Sequence, residues 1–205
     1  MARRGDKLRE HILWTAKSVF QEMGFERASM DVVAARAETS KRSLYAHFES
    51  KEKLFLASVE RVRGRFLEEI GSPEDYSGKP VDALTHFCGR FLEILLHQGA
   101  IRMCRVCIAE AERFPEGAAA YFDLLFTQVE ARVSVYLRTT FRLPPKVSAD
   151  AANGLLGQLL YPAFPRALFG IDALVEDFHD EGLSPDFDLR PVRRAVQALI
   201  SSLED

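Results

Sequence analysis

Residues 29–55 read SMDVVAARAETSKRSLYAHFESKEKLF, and the fold follows from this stretch. It divides into a short helix, a tight turn, a second short helix carrying Lys41, Arg42, Ser43, Tyr45 and His47, and the start of a third helix. A helix that short is unstable alone in water, so packed neighbours must hold it in place. Leu44 and Phe48, four residues apart, form its buried side, which leaves Ser40, Lys41, Arg42, Ser43, Tyr45 and His47 on its open sides. Cations, hydroxyls, a phenol and an imidazole are the groups that grip phosphates and read base edges. The arrangement points to duplex DNA.

Upstream, Leu8, Ile12, Ala16, Val19, Phe20 and Met23 recur at spacings of three and four and predict a helix over residues 7–23. Gly24 suits a left-handed cap at its end, with Phe25 folding back on the last turn. Ser29 is an N-cap for the next helix, and Asp31 adds a negative charge in its first turn. Downstream, Ser50 caps a long helix marked by Leu54, Phe55, Val59, Val62, Phe66 and Ile70. The segment GSPEDYSGKP (residues 71–80) is the clearest linker.

Beyond the linker the pattern is all-helical. Helices are expected from Leu84 through Leu95, over residues 100–114 up to Pro115, over 117–141 before Pro144 and Pro145, from Asp150 with breaks at Pro162 and Pro165, and over 189–203 after an acidic loop at 176–186. No useful period-2 strand pattern, internal repeat or low-complexity tract is present in the sequence. The expected fold class is all-α: a helix-turn-helix DNA-binding head at 1–50, a connecting helix and linker at 51–78, and a helical-bundle domain at 79–205.

The bulk properties fit. The net charge of −3 over 205 residues excludes a generally basic coat. Residues 1–58 hold 11 Lys+Arg against 8 Asp+Glu (+3), whereas 59–205 hold 16 against 22 (−6), a basic head on an acidic body. Cys88, Cys104 and Cys107 are too few and too unevenly spaced for a disulfide framework. No signal-peptide pattern and no membrane-length apolar run are read, so a reduced, cytoplasmic protein is expected.

A helix-turn-helix lays its second helix in the major groove, where each base pair shows a distinct pattern. Lys41, Arg42 and Ser43 at the start of that helix are the expected base readers. Ser29, Thr39, Ser40, Tyr45, His47 and Lys51 are the expected phosphate contacts. LYAHFESKEKLF after a Ser-initiated helix resembles the DNA-binding domain of the TetR (tetracycline-repressor-like) family of bacterial transcriptional regulators. The family's Thr or Ser cap, Ile-Ala pair, Ala-Gly-Val-Ser turn, Leu-Tyr pair, Phe and Ser-Lys-Glu correspond to Ser29, Val33-Ala34, Ala37-Glu38-Thr39-Ser40, Leu44-Tyr45, Phe48 and Ser50-Lys51-Glu52. The resemblance covers about residues 7–55. One departure is that Glu38 replaces the usual turn glycine. The resemblance implies a homodimer, usually a repressor, that binds a pseudo-palindromic operator and is released by a small molecule. It places the dimer face on about 151–160 and 191–203.

Three further features invite chemistry. Cys104-x-x-Cys107 has redox or zinc spacing, but it lies in an apolar helical stretch and reads as core or pocket. EAERFPE (residues 110–116) offers paired carboxylates, read as solvated ion pairs, and it resembles the C-terminal domain of the AefR-like branch of the family. Phe87, Phe91, Cys104, Cys107, Phe114, Phe122 and Phe126 are a candidate apolar ligand pocket, with Arg102, Glu110 or Tyr121 as polar partners. Core packing is the competing reading. No catalytic set, metal site, cofactor or membrane association is expected. An all-α enzyme lacks a convergent acid/base set in the sequence, and a helical adaptor would show no salt-dependent binding to duplex DNA.

Overall fold

The computed structural model describes residues 4–176 and 182–204. Eleven α-helices are assigned among them: α1 (Arg4–Arg27), α2 (Met30–Arg36), α3 (Lys41–His47), α4 (Lys51–Ile70), α5 (Pro80–Leu96), α6 (Gln98–Ala109), α7 (Pro115–Phe122), α8 (Gln128–Phe141), α9 (Pro145–Leu160), α10 (Ala163–Leu168) and α11 (Arg190–Glu204). No strand is assigned among the described residues. A lone bridge pairs His97 with Val175. The all-α expectation holds.

Local chemistry explains most boundaries. Gly24 has φ +73° and breaks α1, and the chain turns so that the Phe25 ring stacks on Phe20 at 5.9 Å. The expected helix over residues 100–114 ends earlier, at Ala109. Proline disfavours helical geometry in the residue before it, and Phe114 precedes Pro115. The intervening turn closes instead through the Arg113 and Phe114 amides, which donate to the Glu110 carbonyl at 3.1 and 2.8 Å. The expected helix over 117–141 is a continuous run interrupted by one π-turn, Asp123–Thr127. Of the expected acidic loop at 176–186, residues 177–181 lie outside the described residues.

The chain divides into two compact units, each drawn from two stretches of sequence. The first comprises Met1–Arg65 together with Arg102–Tyr121. Its core is an aromatic cluster in which Phe55 meets Phe20 at 5.2 Å and Phe25 at 5.4 Å. Phe114, from the turn between α6 and α7, enters this cluster at 4.9 Å from Phe25 and 5.6 Å from Phe55. All four rings are buried, alongside Ile12, Leu13, Val19, Leu44 and Leu54. Arg113 lies over the Phe25 ring at 4.7 Å and pairs with Glu26 at 2.5 Å and Glu52 at 3.5 Å. The expected solvated pairs at the end of α6 therefore form with carboxylates from α1 and α4.

The second unit comprises Phe66–Ile101 and Phe122–Asp205. Its centre is α5, buried almost continuously from Ala83 to Leu95. α8 packs on α9, and α11 packs on both α5 and α9. Inside lies an ion pair, Arg90 to Glu93 at 2.8 Å, with both side chains almost fully buried. Isolated charges would be costly there, and hydrogen bonds offset that cost. Arg90 also donates to the Gly182 carbonyl at 2.6 Å, and Glu93 accepts the Ser184 amide at 2.9 Å. Gly89 leaves room for Leu189, whose Cδ2 would clash with an added Cβ. Arg132 donates to the Leu67 carbonyl at 3.1 Å and to that of Gly71, satisfying carbonyls at the end of α4.

The aromatic cluster yields a test of the non-contiguous first unit. Phe114→Ala removes a buried ring from the head core and should destabilise the unit by about 3–5 kcal/mol. Urea unfolding followed through Trp14, which lies in α1, measures this loss. A change below about 1 kcal/mol would mean that Phe114 is not a core residue of this unit.

Candidate DNA-binding surface

Two capped helices and the turn between them build the surface. The Ser29 hydroxyl accepts the Val32 amide at 3.2 Å and starts α2. At its end, the Glu38 amide donates to Ala35 at 3.2 Å and the Thr39 amide to Ala34 at 3.0 Å. These two bonds form a Schellman motif, which needs a left-handed residue at its centre. That residue is Glu38, at φ +48°. The sequence departure thus retains the glycine backbone shape at a cost of about 1–2 kcal/mol for a residue with a Cβ.

The turn delivers Ser40, whose hydroxyl accepts the Ser43 amide at 3.1 Å and starts α3. Leu44 and Phe48 are buried as the spacing requires, and Arg9 covers the Phe48 ring at 5.2 Å. Lys41, Arg42 and Tyr45 are exposed, while Ser43 and His47 are half-buried on the flanks. Thr39 is half-buried beside them. The expected base readers and most expected phosphate contacts are therefore brought together around one short helix. Ser29 and Ser40 use their oxygen lone pairs as caps, and their hydroxyl protons remain available as donors.

Lys51 is placed differently from the expectation. Its ammonium turns inward and donates to the carbonyls of Phe25 at 3.0 Å, Ala28 at 3.1 Å and Glu26 at 3.4 Å. It also lies 4.3 Å from the Phe25 ring centroid. Three protons meet three carbonyls at the end of α1, where the helix leaves acceptors unsatisfied. Lys51 is a clasp between α1 and α4 in this structure. The motif alone gave no sign of this, because the acceptors lie over 20 residues away in sequence.

The candidate ligand residues fall into separate groups. Phe114 belongs to the head core described above. Cys104 and Cys107 are buried in the first unit, and Cys104 shares a hydrogen bond with the buried Tyr121. In the second unit, Phe87 meets Tyr76 at 6.2 Å and Phe91 meets Phe66 at 6.4 Å. Phe122, which is 60% exposed, meets Phe126 at 4.9 Å, and Phe126 meets Phe164 at 5.5 Å. None of the seven lines either of two clefts found among the described residues. One, of about 600 Å³, lies between the end of α1 and α6 and includes the expected polar partners Arg102 and Glu110. The other, of about 420 Å³ in the second unit, is lined by Leu92, Leu159, Tyr161, Pro162, Val192 and Ala195 among others.

Burial pushes all three cysteine thiols up to about 12, with the neighbouring Cys107 adding to the effect at Cys104. Among the described residues no group of three or more His, Cys, Asp or Glu gathers as a metal-ligand set. No described helix is long and apolar enough to cross a membrane.

With this geometry in view, comparison with known proteins is specific. The profile of bacterial regulatory proteins, tetR family, matches residues 12–58. That of the AefR-like transcriptional repressor, C-terminal domain, matches residues 82–181. The transcriptional activator FasR of Mycolicibacterium smegmatis is 44% identical over 64 residues, 29% of each chain. The transcriptional repressor NicS of Pseudomonas putida is 34% identical over 65 residues, 32% of this chain and 31% of that one. The chain thus spans less than a third of the length of these curated relatives. Among solved structures, a TetR-family regulator from Mesorhizobium loti aligns over 98% of this chain and 97% of its own, with TM-score 0.72 at 22% identity. The flavonoid-responsive regulator FrrA aligns over 97% and 95%, with TM-score 0.69 at 22% identity. The helix-turn-helix head and helical second unit define a transcriptional regulator, and the chain belongs to the TetR family.

Two outcomes test the placements. Lys51→Ala should destabilise the protein by about 1–2 kcal/mol through loss of a helix-end cation and its hydrogen bonds. The slope of log affinity for DNA against log salt should stay unchanged, whereas loss of a phosphate contact would flatten it by about 0.9. For the cysteines, thiols held near 12 are protonated at pH 8. Ellman's reagent should therefore label none of the three in the native protein within minutes and all three after unfolding in urea. Rapid native labelling would show an accessible, reactive pair.

Proposed function

We propose that this regulator acts as a homodimer on a pseudo-palindromic operator, represses transcription, and is released by a small, mainly hydrophobic molecule. The observation that carries the DNA reading is the doubly capped α2–turn–α3 unit, which holds Lys41, Arg42 and Tyr45 exposed on a helix of seven residues. One such helix reads few base pairs, so two copies on related half-sites are needed for useful selectivity. Their centres should lie about 34–36 Å apart or further. Lys41, Arg42 and Ser43 read bases in this scheme, and Ser29, Thr39, Ser40, Tyr45 and His47 contact phosphates.

The dimer face is assigned to residues 151–160 and 191–203, on α9 and α11. Support comes from the large apolar side chains beyond the end of α9, where Tyr161 is 76% exposed and Phe169 84%. Repression follows NicS and the AefR-like C-terminal profile, although FasR is an activator. Ligand response follows FrrA, described as flavonoid-responsive. The ligand is placed among the aromatic helices of the second unit, where Phe122, Phe126 and Phe164 form a partly open cluster. A ligand lowers operator affinity tenfold only if it favours the DNA-incompetent state by about 1.4 kcal/mol.

A gel shift with the DNA directly upstream of the protein's own gene tests the reading. Arg42 is exposed and has no ion-pair partner among the described residues. Arg42→Ala should cost about 1–3 kcal/mol on the operator and relax preference at one base position. Retention of full operator affinity by Arg42→Ala would place the reading surface elsewhere. A single-chain mass by light scattering, with and without DNA, would remove the dimer from the proposal.

A further inference from the structure

On the proposed DNA face stands a residue of the wrong charge for a polyanion. Asp31, in the first turn of α2, holds its Oδ2 2.6 Å from the Lys41 Nζ in the first turn of α3. Both side chains are more than 60% exposed, so the pair is open to solvent rather than part of the core. Arg42 lies next to it without a carboxylate partner among the described residues. An exposed ion pair adds little stability. It does turn one cation of the reading surface into a neutral donor–acceptor couple. Asp31 keeps lone pairs beyond the one facing Lys41, and Lys41 keeps ammonium protons beyond the one facing Asp31.

In the major groove only cytosine N4 and adenine N6 offer hydrogens, and carboxylates accept from cytosine N4. Lysine donates to guanine O6 and N7. A single G·C pair displays the cytosine amino group beside the guanine O6 on one edge, which complements a carboxylate beside an ammonium. We infer that Asp31 is a specificity-determining residue that works with Lys41 to read one G·C pair in each half-site. Holding Lys41 at 2.6 Å, it also keeps that lysine off the phosphates of unrelated DNA. This inference rests on the DNA reading above and is independent of dimer repression and ligand release. The rival role for Asp31 is stabilisation of the α2 N-terminus by its charge.

Selection of bound duplexes from a random pool, run on the intact protein, separates these roles. The wild-type chain should select a half-site containing a G·C pair at one fixed position. Asp31→Asn keeps the side-chain shape, and Asp31→Glu keeps the charge near the helix start but moves the carboxylate. Both should reduce discrimination at that position by roughly tenfold and leave the other positions intact. Asp31→Asn should also tighten binding to non-specific duplex and steepen its salt slope by about 0.9, as Lys41 gains a phosphate. Lys41→Ala should relax the same position, and the Asp31→Asn/Lys41→Ala double variant should discriminate no worse there than either single variant. The inference is overturned if both Asp31 variants select the wild-type half-site with unchanged preference, if they weaken all positions alike, or if the dependent position is not G·C. Failure of the wild-type chain to select any half-site would instead overturn the DNA reading itself.

Discussion

The Phe25 ring is the joint on which the first unit depends. It contacts Phe20, Phe55 and Phe114, with Lys51 and Arg113 each positioned over it. Lys51 also gathers the carbonyls of Phe25, Glu26 and Ala28, and Ser29 follows as the cap of α2. The path of the chain from α1 into α2 is therefore set by one aromatic contact set and one ammonium. Since α3 is too short to stand alone, its presentation depends on that joint. Replacing Lys51 with an apolar residue would take a donor from the part-buried carbonyls of Phe25 and Ala28.

Charge on the proposed reading surface follows a different logic from charge in the joint. Arg113 and Lys51 meet local acceptors, whereas α3 on the proposed reading keeps cations available to DNA. The surface nevertheless carries acidic groups: Asp31 beside Lys41, and Glu38 in the turn. Glu38 also bears the strain of a left-handed backbone. Both acids reduce the attraction of this face for DNA of any sequence, which leaves selectivity to contacts that match particular bases. A modest basic excess of +3 over residues 1–58 is consistent with such a face.

The head was legible in sequence because its signals are local. Gly24, Ser29, Ser50 and the Leu44/Phe48 spacing each act within a few residues, and the structure realises each of them. Glu38 was recognisable as a departure from the turn glycine, although only the backbone shows that it adopts φ +48°. Long-range choices were not legible. Lys51 sits in a motif that suggests phosphate, but its acceptors are supplied by α1. Phe114 sits in a run of body helices and yet fills the head core, because α6 ends at Ala109 and the turn that follows carries the ring to Phe25 and Phe55. The seven candidate pocket residues share aromatic or thiol character, which periodicity could not resolve into separate clusters.

The shared core constrains motion as well as stability. Arg102–Tyr121 belongs to the first unit, while the chain on either side, up to Ile101 and from Phe122, belongs to the second. A displacement of the α6–α7 turn carries Phe114 and Arg113 with it. Close-packed rings do not deform continuously, since even a gap of about 0.5–1 Å forfeits a quarter to a half of a contact's dispersion energy. The turn therefore either moves together with Phe25 and Phe55 or leaves a cavity in the head core. Leaving the cavity is the costlier course, and Arg113's pairs with Glu26 and Glu52 act in the same direction. The end of α1 and the start of α4 are thereby tied to Arg102–Tyr121 within the first unit, and the aromatic cluster is where movement of that segment reaches the helices that present α3.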